Sequence, residues 1–256
     1  MSLTSSYEGV RHIVIDNFGG GWITIEGDSR QDLVDASIDV PDDRFLEQVQ
    51  IHSDHDWLRI SFPQQFLRDT KAHLCLSVPN GLTYVIKTGS ANISIGADIG
   101  RSKIISGSGD ITIGNAVDLE CSTGSGNISV ARVDGNGAKL GSGSGNVSVG
   151  EVNCPIATKS GSGDIIVKSV RGTSLQANSG SGDIAISATT GSVDLRAASG
   201  SLTVGIADNL PAWLELNSVS GDVRIGLDST TQPEPGEPYI TVRARTASGD
   251  ISIHRA

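Results

Sequence analysis

The chain repeats a six-residue phrase, Ser108-Gly109-Asp110-Ile111-Thr112-Ile113, until its last residues, and this repetition limits the possible folds more than any other feature. Aligned on the acidic or amide position, the copies give the column Asn92, Asp110, Asn127, Asn146, Asp164, Asp183, Ser201, Asp222 and Asp250. Successive steps are 18, 17, 19, 18, 19, 18, 21 and 28 residues. A period of that size marks an array in which each unit buries its apolar face only against its neighbours. The chain therefore reads as a solenoid.

Each position around that anchor has its own chemistry. Two residues before it stands serine in all nine copies, and one residue before it glycine in all but the first, where Ala91 sits. One and three residues after it come pairs such as Ile111/Ile113, Val147/Val149, Leu202/Val204 and Ile251/Ile253. Period-two alternation in mostly β-branched residues means a strand with one buried face. Six and eight residues before the anchor the alternation recurs, in Leu119/Cys121, Leu175/Ala177, Leu214/Leu216 and Val242/Ala244, which marks a second strand per coil.

The corner between the strands is polar for backbone reasons. Glycine takes positive φ at no steric cost, and Asp or Asn side chains bond amides two residues on and tolerate the left-handed region. Four residues before the anchor, eight of nine copies carry Ser or Thr, and turn amides or the next coil's hydroxyl are the expected partners. A second corner holds Gly100, Gly135, Gly172 and Gly191, each eight residues after its anchor. Parallel crossovers are overwhelmingly right-handed. The expected fold is thus all-β, a right-handed parallel β-solenoid of about 18-residue coils, with a third short side left open at the second corner.

Before residue 82 the period breaks. Residues 1–81 read as an N-terminal β-rich cap that includes one worn coil, Trp22-Ile23-Thr24-Ile25, and residues 82–256 as the repeat domain. Cap strands are expected near Leu33–Val40, Leu46–His52, Trp57–Phe62 and Ala72–Val78, antiparallel and covering the first coil, with turns at Pro41-Asp42-Asp43 and Pro63-Gln64-Gln65. A Pro-rich insertion spans 227–238, after which one more coil ends the chain without a recognisable cap. An uncovered coil exposes apolar side chains and unpaired backbone, so that end is expected to pair with something.

Composition removes several function classes. The net charge is −10 with no Lys/Arg run, which argues against nucleic acid, because its binding rests on clustered basic residues. No aromatic residue falls between Tyr84 and Trp213, as a thin core of Ile, Val, Leu and Ala requires. Cys75, Cys121 and Cys154 do not make a disulfide framework, and Cys75 and Cys121 read as buried free thiols. No basic start with an apolar segment and no apolar run of membrane-spanning length is visible, so a cytoplasmic location without membrane insertion is expected.

Candidate chemistry is sparse. His52, Asp54, His55 and Asp56 are the one cluster with metal-ligand residue types, although strand-like flanks make a solvated hairpin tip the simpler account. Calcium-binding nonapeptide rolls would need the Gly-Asp phrase twice per 18 residues, and it occurs once. A polysaccharide lyase or hydrolase needs paired carboxylates or a calcium cluster in an open groove. The outward position two after the anchor reads Ser94, Thr112, Ser129, Ser148, Ile166, Ala185, Thr203, Arg224 and Ser252, with no acidic pair and no aromatic platform. Asn17-Phe18-Gly19-Gly20-Gly21 lacks the Gly-Lys-Ser/Thr of a phosphate loop and reads as a turn.

The run Leu74-Cys75-Leu76-Ser77-Val78-Pro79-Asn80-Gly81, then Tyr84-Val85-Ile86-Lys87-Thr88-Gly89-Ser90, then repeated Gly-Ser-Gly-Asp/Asn-Ile/Val, resembles the bacterial DUF4097 family over roughly Val10 to Ile253. Its members look like β-strand repeat proteins and are often labelled putative adhesins. The resemblance implies a β-solenoid with scaffolding or envelope-associated roles, and supplies no catalytic residue and no cofactor. The expectation is a non-enzymatic, adhesin-like scaffold that associates with protein, or with itself, through its open edge. The alternative from another class is a glycan or envelope-component binder along the Ser/Thr face at Thr112, Ser129 and Ser148.

Overall fold

Inward apolar and outward polar side chains alternate along each repeat, and every such run is a β-strand. A computed structural model of the chain describes residues 2–29, 32–40, 43–63, 72–208, 210–228 and 239–256. The chain forms two units, Met1–Val130 and Ala131–Ala256, so the boundary expected at residue 81 falls inside the first. The turns expected at Pro41-Asp42 and Gln64-Gln65, and residues 229–238 of the Pro-rich insertion, lie outside the described residues.

In the first unit β1 (Ser2–Glu8), β2 (His12–Phe18), β3 (Gly21–Gly27) and β4 (Leu33–Asp39) precede a four-residue helix, α1 (Asp43–Leu46). There follow β5 (Gln50–Asp54), β6 (Trp57–Ser61), β7 (Ala72–Val78), β8 (Thr83–Thr88), β9 (Asn92–Ile95), β10 (Ser102–Ser106) and β11 (Ile111–Thr123), and β12 (Ile128–Ser142) contains the boundary. The strand expected over Leu46–His52 begins only at Gln50, because a helical turn ends at Leu46, with Phe45 buried against Phe62 and Phe62 edge-on to Phe18.

The order of coils in this unit is not the order of the sequence. β2 pairs in parallel with both β6 and β8, and β3 with both β7 and β9. The worn coil is thus inserted between a later coil, β6/β7, and the first regular one. β6 and β7 are solenoid strands rather than antiparallel cap strands. The antiparallel cap consists of β4 on β7, β1 on β4, and β5 on β6.

The second unit continues with β13 (Val147–Val152), β14 (Ile156–Ser160), β15 (Ile165–Val170), β16 (Ser174–Ser179), β17 (Ile184–Thr189), β18 (Ser192–Ala197), β19 (Leu202–Ile206), β20 (Ala212–Ser218), β21 (Val223–Gly226), β22 (Ile240–Thr246) and β23 (Ile251–Arg255). Parallel pairing steps by one coil from β13 through β15 and β17 to β19, and from β14 through β16 to β18. The last coil then departs from sequence order. β22 lies between β18 and β20, and β23 between β19 and β21. The expected terminal coil is therefore interior, and the outermost coil is β20/β21.

Both corners have a structural account. In the second unit alternation breaks at Gly150-Glu151, so Val149 and Val152 both face inward. Val152, Val170, Thr189 and Ile206 continue in register as a third buried column, which gives the coil a short third side. At the tight corner the glycine before each anchor is required by close approach: a Cβ at Gly109, Gly163, Gly182 or Gly200 would collide with the backbone of the neighbouring coil. None of these four has the positive φ expected of a turn glycine.

The anchor side chains also act between coils rather than within the turn. The Asp183 amide donates to Asp164 Oδ1 at 2.9 Å and the Ser201 amide to Asp183 Oδ1 at 2.8 Å; in the first unit the Asn127 amide donates to Asp110 Oδ1 at 2.7 Å. The hydroxyl column meets the turn amides expected of it, and backbone carbonyls in place of the next coil's hydroxyl. Ser160 and Ser179 each accept from the glycine amide three residues on and donate to a carbonyl of the neighbouring coil. Thr88, whose coil has Ala91 in place of that glycine, keeps a buried hydroxyl with no partner.

Candidate interaction surface

The inserted strands explain which surfaces are covered. In the first unit Asp16 of β2 lies between two cations of its flanking strands, 3.8 Å from Arg59 and 4.0 Å from Lys87. In the second unit Arg243 of β22 stands in register between Asp194 of β18 and Glu215 of β20. Its guanidinium forks onto the Glu215 carboxylate at 2.9 and 3.4 Å. That contact first, with Asp194 adding, holds the Arg243 pKa above its ordinary value. Stacked in sequence order, β20 on β18 would set Glu215 against Asp194, and like charges directly opposite are destabilising.

The outer coil of the second unit exposes apolar side chains at positions that are inward by register. Val223 and Ile225 occupy the inward positions after their anchor, in register with Ile251 and Ile253. They are 44% and 53% exposed, against 0% and 1% for those partners. Leu214 and Leu216 are half-buried, and Trp213 and Val219 add exposed apolar area on the same coil. Among the described residues β20 pairs with β22 and β21 with β23, and no strand is paired on their other edges. The last residues pin the loop that leads into this coil. Arg255 Nη1 donates to the carbonyls of Ala207 at 3.1 Å and Leu210 at 3.0 Å, and the Ala256 amide to Ile206.

The metal-ligand cluster does not converge. His52 and Asp54 lie on β5 in register with Arg59 and Trp57. His55, at a φ of 50°, bonds its own neighbour Asp54 at 2.6 Å, while Asp56 stands 3.5 Å from His12, whose ring stacks on Trp57. Among the described residues no group of three or more His, Cys, Asp or Glu is placed to hold a metal ion. The hairpin-tip account is the one the geometry favours.

The Ser/Thr face is a plain strand surface. Thr112 sits in register with Ser94, and Thr112 and Ser129 are exposed, whereas Ser148 is half-buried beside Ile166. All three cysteines are free. Cys121 and Cys154 are buried, but Cys75 faces outward on β7 beside His73, where desolvation, then Glu26 and Asp39, raises its thiol pKa. Sequence reasoning missed the outer coil as the exposed one. Its only signal was the unlike charges at Asp194, Glu215 and Arg243.

A family model, Toastrack DUF4097, matches residues 23–254. The chain belongs to that family. Among solved structures, this DUF4097 chain is similar to a putative adhesin from Bacteroides fragilis, at 17% identity and a TM-score of 0.54, with 99% of this chain and 97% of that one covered. It is also similar to a putative lipid binding protein from Parabacteroides distasonis, at 12% identity and a TM-score of 0.50, covering 98% and 96%. At these identities the likeness is one of fold. A search of curated proteins found no match. Among the described residues no helix of the DUF4097 chain is long and apolar enough to cross a membrane.

Proposed function

We propose that this DUF4097 protein is a non-enzymatic interaction scaffold that associates with a second copy through its outer coil, Ala212–Gly226. One observation carries the reading: Val223 and Ile225, inward by register, stand in solvent on a coil whose outer backbone edge is unpaired among the described residues. Fully burying one such side chain is worth about 1.5–3 kcal/mol, and an unpaired strand edge is a template for another strand. The relatives named as adhesin and lipid binder are consistent with a binding role and name no reaction.

Light scattering over a hundredfold dilution tests it. The wild-type mass should climb with concentration, and the double variant Val223→Asp, Ile225→Asp should lose that concentration dependence. A constant monomer mass for the wild type would remove the proposal. Glycan binding along Thr112, Ser129 and Ser148 has less behind it, since no aromatic ring lies on that outward row.

A further inference from the structure

The C-terminal coil, Ile240–Arg255, is held on both edges by strands that precede it in the sequence. On one side it registers with Val193–Ala197 and Leu202–Ile206, on the other with Ala212–Ser218 and Val223–Gly226. The coils on either side of it both precede it in the chain, and it lies as an insert in the slot between them. The neighbouring connection between successive coils, residues 207–211, spans five residues; the link from Gly226 to Ile240 spans thirteen and contains Pro233, Pro235 and Pro238. Extended, thirteen residues reach about 45 Å, far more than the return over one coil uses. Stacked without the insert, Glu215 would face Asp194; with it, Arg243 stands in register between them and pairs with Glu215.

We propose that this slot accepts the C-terminal segment Tyr239–Ala256 of a second copy, so that two chains exchange their last coil. Every contact the insert makes within one chain, including the Arg243 fork onto Glu215 and the Arg255 bonds to Ala207 and Leu210, is then reproduced between chains. Exchange of an identical element costs few new contacts and is a common route to dimers. It does not depend on the free edge of the outer coil, so it stands or falls apart from the association proposed above.

Cysteine pairing in the full chain tests this directly. Thr203 and Ser252 are in register on β19 and β23, and neighbouring strands lie within disulfide reach. A chain carrying Thr203→Cys and Ser252→Cys together first establishes that the pair closes; Arg196→Cys with Arg245→Cys, also in register, serves if it does not. Chains carrying one substitution each are then refolded together at rising concentration and mildly oxidised. Exchange predicts a two-chain product, mapped by peptide mass to the two introduced positions. Its fraction should grow with refolding concentration, survive dilution, and persist when Val223→Asp and Ile225→Asp are added. Closure within the doubly substituted chain, with no bond between singly substituted chains at any concentration, would overturn the proposal.

Discussion

At the outer end of the first unit the inserted coil β2/β3 lies under β6/β7. That coil is closed in turn by β4 and β5, with Phe45 driven into the aromatic contact of Phe62 and Phe18. At the outer end of the second unit the inserted coil β22/β23 lies under β20/β21, and among the described residues no further strand covers it. The outermost strand beyond β7 is β1, Ser-Leu-Thr-Ser-Ser-Tyr-Glu, whose polar side chains suit an edge left in water. The outer coil of the second unit instead offers Val223 and Ile225. Both ends use a later or earlier segment as filler, but only one is finished within the chain, and that asymmetry is why association is assigned to the second unit.

The comparison breaks most readily at matched core positions. Ile60 on β6 and Ile225 on β21 both point inward from an outer coil, yet Ile60 is fully buried. Ile60→Ala should cost about 3 kcal/mol in urea unfolding, within the range for buried isoleucine truncations. Ile253→Ala, inside the inserted coil, should match it. Ile225→Ala should cost less than about 0.5 kcal/mol, as exposed positions do. If Ile225→Ala at monomeric concentration proved as costly as Ile60→Ala, the second end would not be open.

Alkaline pH probes the first unit through two buried acids, Cys121 and Tyr84, that are neutral when folded. Burial pushes the Cys121 thiol from 9.0 up to about 12, and pushes the Tyr84 phenol well above its ordinary 10.0. A raised folded pKa leaves stability intact below the unfolded value and removes it as pH rises toward the folded one. The loss should therefore begin near pH 9 for Cys121 and near pH 10 for Tyr84, at about 1.4 kcal/mol per pH unit for each group. Urea midpoints between pH 8 and 11 check this, with Cys121→Ala flattening the earlier part. The Tyr84 hydroxyl has no hydrogen-bond partner, so Tyr84→Phe should change stability by under about 0.5 kcal/mol at pH 8 while flattening the later part.

A smaller effect separates interior from end along the anchor column. Asp183 receives the amide of Ser201 between two interior coils, and Asp250 receives that of Asp222 in the outer coil. Asp183→Ala should cost about 1 kcal/mol, the usual value of such a bond. Asp250→Ala should cost less, since the freed Asp222 amide sits on the open coil and can turn to water. Equal costs in urea unfolding would mean that the two coils are held alike.

The solenoid was legible because its causes are local. Alternation after each anchor, seen in Ile111/Ile113 and Ile251/Ile253, sets the buried face wherever the strand lies in the stack. The glycines were legible as corner residues but not their reason, since the collision a Cβ would cause at Gly182 is with another coil and no single turn reveals it. The coil order was hidden for the same kind of reason. Val223/Ile225 and Ile251/Ile253 are interchangeable as apolar pairs, so hydrophobic pattern cannot say which lies inside. The charges that line up across the inserted coil, Asp194, Arg243 and Glu215, are dispersed along the chain and come into register only after stacking. The Trp22 coil was recognisable as a repeat, but its place between β6/β7 and β8/β9 shows only in the long-range pairing, where Asp16 meets Arg59 and Lys87.

The smallest effect tests that sorting of charge at both ends. Arg243→Glu would set three carboxylates in a row on β18, β22 and β20, and Asp16→Lys would set three cations on β6, β2 and β8. The cations are about half exposed and screened by salt, while Asp16 and Asp194 are mostly buried, so the change in global stability should be modest. The local consequences should differ. β2 is also held beneath the cap, and amide exchange along it should change little with Asp16→Lys. β22 is covered by one weak coil, so Arg243→Glu should quicken exchange along β20 and β22 severalfold at low ionic strength and less at high. The double variant Arg243→Glu, Glu215→Arg restores the alternation of sign between β22 and β20 and should recover part of the protection. Equal exchange at the two ends, or no recovery in the double variant, would mean that the order of coils rests on packing alone and that charge selects nothing.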